Sequence, residues 1–470
     1  MLLYKIGVVQ LNYSNIYYSN LNYYIKGSKM RFYNRDKELE YLKKIEQDSH
    51  TLSKMTIIIG RRRIGKTKLI REAYKKRVYL FVSKKNETLL CEEFVAVIQN
   101  ELSIKILGEF KKFKDLFEYL MELSKTTAFT LIIDEFQEFL QINSSIYADM
   151  QNIWDSYKDE SKMNLVLSGS IYSLMKKIFE DKKEPLFGRA NHKIHLKPFS
   201  VTTLEEILQE QYPAYSKQDL LSFYILTGGV AKYVELFVDN QAFTFEKQLD
   251  LIFDENSLLI EEGKNLLIEE FGKEYTTYFS ILSLIASSKT SRSEIESILG
   301  KNVGGYLDRL ENEYTIIKKV KPIFAKEGSR TLKYEIIDNF FHFWFRFIYK
   351  NRSAIEIENY DYVKSIVKRD FSTYSGRFLE KYFIEKLKDS GKYSNIGTYW
   401  EKGNQNEIDI VAINKDRKRM LVAEVKLNHH KINLSELKEK AQKLLQKQKG
   451  YEVKFLGYSM EDMTMVGYRS

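Results

Sequence analysis

The sequence predicts an α/β fold built on a parallel sheet, and three observations carry that prediction. Apolar, largely β-branched runs recur at Thr56-Ile57-Ile58-Ile59, Val78–Val82, Thr130–Ile133 and Leu165–Leu167, as strands buried on both faces require. Helix-patterned segments separate these runs, which is how parallel strands are connected. The first run stops at Gly60, and Gly65-Lys66-Thr67 follows at the spacing of a loop that opens a helix.

In chain order, Asn34 is a plausible cap for a helix that sets Leu39, Leu42 and Ile45 on one stripe. Then comes strand, phosphate loop, helix. The glycines let the backbone wrap a polyphosphate, and loop N–H groups with the helix N-terminus point at the anion. Gly60, Arg61, Arg62, Arg63, Ile64, Gly65, Lys66, Thr67 and Lys68 are thus the candidate nucleotide contacts, with Lys66 reaching the β/γ-phosphates and Thr67 offering its hydroxyl to Mg²⁺. After a second strand and helices over 87–107 and 113–123, the third strand ends in Asp134-Glu135. There Asp134 can organise the Mg²⁺ shell and Glu135 can polarise an attacking water. A fourth strand ends in Ser168-Gly169-Ser170. Gly60, Asp134 and Ser168 all lie at carboxyl strand ends, where ligands of such sheets bind.

Residues 203–264 are mostly helical and broken at Thr227-Gly228-Gly229. Three short helices (278–287, 291–299 and 303–313) and two strand-like runs (316–320 and 332–337) then form the outline of a winged helix-turn-helix. Arg292 and Arg309 on its second and third helices, with Lys301 between them, are candidates for DNA contact. The last part reads as helix (378–387), hairpin with Asp409 on one strand and Glu424 and Lys426 on the next, helix (434–448) and strand (451–456). Alternation puts Glu424 and Lys426 on one face and the hairpin brings Asp409 opposite. Asp409 and Glu424 could hold a metal and Lys426 steady a phosphate; ordinary amphipathic strands with polar outer faces are the other reading. The expected divisions are a tail (1–29), a core (30–200), a helical lid (201–265), the winged helix (270–350) and a C-terminal unit (360–470).

Length and composition bound the rest. The chain of 470 residues, 44% hydrophobic and 29% charged, is long enough for about three globular units. A net charge of +10 permits nucleic-acid contact, but an AT-rich genome, which also explains 33 tyrosines, produces the same bias. The single Cys91 excludes an intramolecular disulfide and a Cys₄ zinc site and points to a reducing, cytoplasmic setting. No apolar run approaches the ~18 residues of a membrane span. The aromatic stretch Phe340–Tyr349 reads instead as a packed core or inter-domain helix. The first 29 residues, without a signal pattern, read as a loose tail or an upstream start-site artefact.

The loop Gly60–Thr67, Ile133-Asp134-Glu135-Phe136-Gln137, Leu167-Ser168-Gly169-Ser170 and Pro185-Leu186-Phe187-Gly188-Arg189 together resemble the P-loop ATPases found predominantly in archaea, near the AAA+ and STAND classes. The resemblance covers residues 30–260. It implies that Ser168 or Ser170 senses the γ-phosphate region and that Arg189 is an arginine finger, a salt bridge being the alternative. Thr227–Tyr233 is similar to the family's glycine-glycine-proline lid motif, with Ala231 at the proline position. The C-terminal part resembles a known companion with a PD-(D/E)xK nuclease-like fold, which implies Glu380 as a fourth member beside Asp409, Glu424 and Lys426; Glu407 lies next to them and no Pro-Asp precedes the hairpin. The expected function is ATP hydrolysis with Mg²⁺, coupled to DNA binding or metal-dependent DNA cleavage. The alternative is an ATP-controlled switch whose C-terminal domain does not cut. Assembly into a homo-oligomer completes the expected partners.

Overall fold

The computed structural model describes residues 30–464 apart from Glu327, Arg330, Lys402 and Asn404. The expected tail over residues 1–29 lies outside the described residues. Five parallel strands, β1 (Lys54–Ile59), β2 (Val78–Phe81), β3 (Phe129–Asp134), β4 (Met163–Gly169) and β5 (His192–His195), form one sheet in the order β2-β3-β4-β1-β5. Strand alternation divides their side chains between two cores. Ile57, Ile59, Leu131, Ile133, Leu165 and Leu167 pack on one face, and Ile58, Ile132 and Val166 on the other. The apolar central strands β1, β3 and β4 follow from this, because helices cover both faces, whereas the edge strands β2 and β5 expose Phe81, Lys193 and His195.

Five helices follow, Val201–Gln211, Lys217–Thr227, Ala231–Asp239, Phe245–Ile252 and Leu258–Phe271. Ser200, Ser216, Thr244 and Ser257 cap four of them through their side chains. Gly229 has φ +69°, and a Cβ there would lie 2.4 Å from the Phe199 carbonyl, so the break at 228–229 needs glycine. Ala231 stands at the first position of its helix, where proline is favoured but not required, and the helix starts there regardless. Leu258–Phe271 runs across the expected division at 265–270.

Helices Tyr275–Ala286, Arg292–Leu299 and Gly304–Asp308, the last continued by a π turn, precede an antiparallel hairpin of β6 (Ile317–Val320) and β7 (Lys333–Ile336). The aromatic stretch is helical from Asn339 to Ile348. Phe340, Phe343 and Phe345 are fully buried, each burial being worth roughly 1.5–3 kcal/mol. Trp344 donates its indole N–H to the Ile260 carbonyl at 2.7 Å and fills the space left by Gly263.

The expected helix at 378–387 is the end of a single 30-residue helix, Tyr360–Asp389. Its buried positions Val363, Val367, Phe371, Tyr374 and Phe378 step by four and three, and Gly376, with open space around it, does not interrupt them. Strands β8 (Asn395–Tyr399), β9 (Ile408–Asn414), β10 (Arg419–Val425) and β11 (Glu452–Tyr458) form a sheet in the order β11-β10-β9-β8, with only β10 and β11 parallel. One face, including Ile410, Ala412, Leu421 and Ala423, joins an apolar cluster that also takes in the long helix, the aromatic stretch and the five helices. The other face packs on Leu437, Ala441 and Leu444 of helix Leu434–Lys447. Among the described residues no helix is long and apolar enough to cross a membrane.

Candidate functional site

β1 delivers the chain to Gly60, where a Cβ would sit 3.0 Å from the Leu196 carbonyl and from Ile64. The loop then closes through Gly65 (φ +96°) into helix Lys66–Ala73, whose first N–H groups have no partner within the helix. Ile64 turns its side chain into the core, so only its backbone faces the loop. Lys66 is 7% exposed and donates to the Gly60 carbonyl at 2.7 Å and the Arg61 carbonyl at 3.1 Å. Burial pulls its pKa down to about 8, against the upward pull of Glu135 and Asp134. Lys68 pairs with Glu235 at 3.5 Å.

Asp134 is the centre of a hydrogen-bonded ring. Its Oδ2 accepts from Thr67 at 3.3 Å and from the Tyr79 hydroxyl. Its Oδ1 accepts from the Ser168 hydroxyl and from the Glu135 N–H at 3.0 Å. Burial, then the Asp134 carboxylate, raises the Tyr79 pKa and keeps the phenol a donor. Glu135, at φ +54°, accepts from the Ser170 hydroxyl and from Gln137 Nε2, each at 2.6 Å. Ser168 and Ser170 therefore each serve one carboxylate. Arg61 pairs with Asp338 at 2.9 Å and Arg63 with Glu262 at 2.8 Å, and Arg61, Arg62 and Asp338 line one cleft with Ser170, Tyr233 and Glu270.

The structure thus brings Gly60, Gly65, Lys66, Thr67, Asp134, Glu135 and Ser168 together. It does not bring Arg189 to them. Arg189 donates to Asp155 at 3.2 Å and to the Phe187 carbonyl at 2.9 Å, so within this chain it is the salt-bridge partner and not a finger on its own loop. Sequence reasoning missed Tyr79, Gln137, Glu262 and Asp338. A tyrosine inside the apolar run 78–82 and a glutamine two residues past Glu135 were the only local traces.

The C-terminal cluster is assembled but occupied by protein partners. Asp409 accepts the Val425 N–H at 2.7 Å, and Glu424 accepts the Asn433 N–H at 3.1 Å and pairs with Lys426 at 3.1 Å. Burial pushes Glu380 up to about 8, with Asp409 and Glu407 adding to the shift. Burial also raises Asp409. Glu407 pairs with Lys333 of β7 at 2.8 Å. Among the described residues no three His, Cys, Asp or Glu side chains gather as a metal-ligand group. The hairpin puts Asp409 and Glu424 at one strand end, as expected, with Asp409 Oδ2 on the Val425 N–H and the two Glu424 oxygens on the Asn433 N–H and Lys426.

The cations expected to meet DNA are also engaged within the chain. Arg292 pairs with Glu296 at 2.8 Å, Lys301 donates to Thr277 at 2.8 Å, and Arg309 pairs with Glu274 at 3.0 Å.

Comparison with known proteins adds to this geometry. Residues 32–237 match the family described as an ATPase domain predominantly from Archaea. Residues 344–444 match one described as archaea bacterial proteins of unknown function. An uncharacterized Methanocaldococcus jannaschii protein, MJECL04, is 30% identical over 413 residues, which cover 84% of this chain and 87% of the relative. A second protein of that organism, MJ0424, is 36% identical over 56 residues, covering 12% of this chain and 54% of the relative. Among solved structures, the Walker-type ATPase PABY2304 of Pyrococcus abyssi is similar with a TM-score of 0.52 and 18% identity, over 67% of this chain and 96% of that one.

Proposed function

The chain belongs to the archaeal-type ATPase family, and from that premise we propose that it binds ATP with Mg²⁺ at the phosphate loop, hydrolyses it, and transmits the result to its C-terminal half. The observation that carries this is the contact of Thr67 with Asp134 beside buried Lys66. Hard oxygen donors 3.3 Å apart, one a hydroxyl and one a carboxylate, fit Mg²⁺. Thr67 and Asp134 would hold it, and when bound the ion offsets charge on the transferring phosphoryl group. Loop N–H groups and Lys66 bind the phosphates. Glu135 orients the attacking water and takes its proton, with Ser170 and Gln137 fixing the carboxylate. Ser168 keeps Asp134 aligned, and through it reports on the γ-phosphate side. Lys66→Ala should abolish ATP turnover; turnover at the wild-type rate by a folded variant would sink the proposal.

Residues 201–265 serve as the lid, 270–350 as a winged helix and 360–470 as a nuclease-like unit. Three helices with a hairpin support the second assignment, and a four-stranded sheet between two helices the third. For the C-terminal unit we put first an ATP-controlled switch that binds without cutting, since Glu424 forms an ion pair with Lys426 and Asp409 accepts the Val425 N–H. The competing reading, metal-dependent DNA cleavage, requires wild-type protein to cut DNA with Mg²⁺ or Mn²⁺ and Asp409→Ala to lose that activity. DNA binding through phosphate contacts requires a steep loss of affinity between low and physiological salt. Arg189 would act as a finger only on a neighbouring copy, so that role requires a homo-oligomer.

A further inference from the structure

Phosphate-loop chemistry asks for glycines, a lysine and a hydroxyl; it does not ask for three arginines. Two of them reach into the second half of the chain. Arg61 lies 2.9 Å from Asp338 and 4.4 Å from the centre of the Phe341 ring. Asp338 divides its carboxylate: one oxygen takes Arg61 and the other caps the aromatic helix by accepting the Phe341 N–H at 3.1 Å. Arg63 pairs at 2.8 Å with Glu262, whose side chain is 2% exposed and whose same oxygen accepts the Tyr233 hydroxyl at 2.8 Å.

Arg63 is also the loop residue whose backbone is unusual. Its φ is +68°, a left-handed conformation that non-glycine side chains rarely adopt without support. Its guanidinium is held by Glu262, and its carbonyl accepts the Lys232 N–H at 3.1 Å. The helices supplying the two carboxylates are themselves joined, since Trp344 donates to the Ile260 carbonyl and fits against Gly263.

We propose that Glu262 and Asp338 are positioning residues of the ATP site, shaping the phosphate loop through Arg63 and Arg61, and that these two ion pairs carry loop occupancy into the docking of residues 258–348. The inference rests on the ATP reading above. Coupling of this kind is reciprocal: carboxylates that favour the phosphate-binding shape of the loop are held more firmly once phosphate is bound. Neither carboxylate touches nucleotide in this scheme, so both act on affinity more than on the chemical step.

The test compares wild type with Asp338→Asn, Arg61→Gln, their double variant and Glu262→Gln. Asparagine still caps a helix, so Asp338→Asn removes the ion pair while keeping the helix start. Each single variant at 61 and 338 should raise the KM for ATP about fivefold or more, with a smaller change in kcat, and the double variant should be no worse than the worse single. Hydrogen exchange should slow in 258–271 and 339–348 when ATP and Mg²⁺ bind wild type, and not in Asp338→Asn. A KM within twofold of wild type in Asp338→Asn, or additive effects of the two changes, overturns the inference, as does exchange in these helices that ignores ATP. Should Glu262→Gln fail to fold, the Arg61 and Asp338 series decides alone. A wild-type protein that binds no ATP refutes the underlying reading instead, a result distinct from normal binding with indifferent variants.

Discussion

Replacing Tyr79 by phenylalanine tests the ring of donors around Asp134. The change deletes one hydroxyl and leaves the half-buried ring, with its contact to Arg71 at 5.8 Å, in place. A hydrogen bond to a charged group contributes about 1.5–3 kcal/mol. The low end applies, because Asp134 Oδ1 keeps Ser168 and the Glu135 N–H and only Oδ2 loses a partner. What Oδ2 retains is Thr67 at 3.3 Å, the very hydroxyl proposed to turn toward Mg²⁺. Loaded with metal, the variant carboxylate would have no protein donor on that oxygen. About 1.5 kcal/mol corresponds to roughly a tenfold rise in the Mg²⁺ concentration that half-saturates ATP hydrolysis. The assay is a Mg²⁺ titration of turnover at saturating ATP, with thermal unfolding as the control for folding. A half-saturation point within twofold of wild type, in a folded variant, would refute the idea that the phenol orients the carboxylate.

Other expectations follow from the same geometry. Glu135→Gln should lower turnover by about 10²-fold or more while ATP binding persists, measured by hydrolysis and by nucleotide titration. Gly229→Ala should destabilise the protein by about 2 kcal/mol or more, read in the unfolding midpoint, because φ is +69° and the new Cβ would strike the Phe199 carbonyl. Buried His342 is kept neutral by burial first and then by the cations Arg377 and Lys381, with Arg377 donating to its Nε2 at 2.9 Å and Tyr374 bonded to its Nδ1. Its folded pKa is lowered, so below about pH 6.5 the unfolded chain takes up a proton that the folded chain refuses, and stability falls with acid. His342→Gln should flatten that acid limb in unfolding midpoints taken from pH 7.5 down to 5; an unchanged slope would remove His342 as its source.

The parts of this protein that were readable in order along the chain are those made from contiguous residues. Four of the five parallel strands stand out as apolar runs, and the loop and both carboxylates sit at their ends. The sequence predicts the long helix only over 378–387, and the packing of Val363, Val367 and Phe371 carries it back to Tyr360. At the C-terminal hairpin, spacing put Asp409, Glu424 and Lys426 together but said nothing about which protein groups would occupy the carboxylate oxygens.

A phosphate site is made largely of consecutive backbone N–H groups and a few side chains at strict spacing, so its chemistry is written locally and survives reading without coordinates. Ion pairs are different. Nothing near Arg61 in sequence announces Asp338, which lies 277 positions away, and nothing near Arg63 announces Glu262. Such partners are chosen when the helices around Trp344 pack and bring buried carboxylates against the loop. Folding thus settles which carboxylates the loop arginines meet, because charge attraction of this kind acts only between groups that packing has already made neighbours.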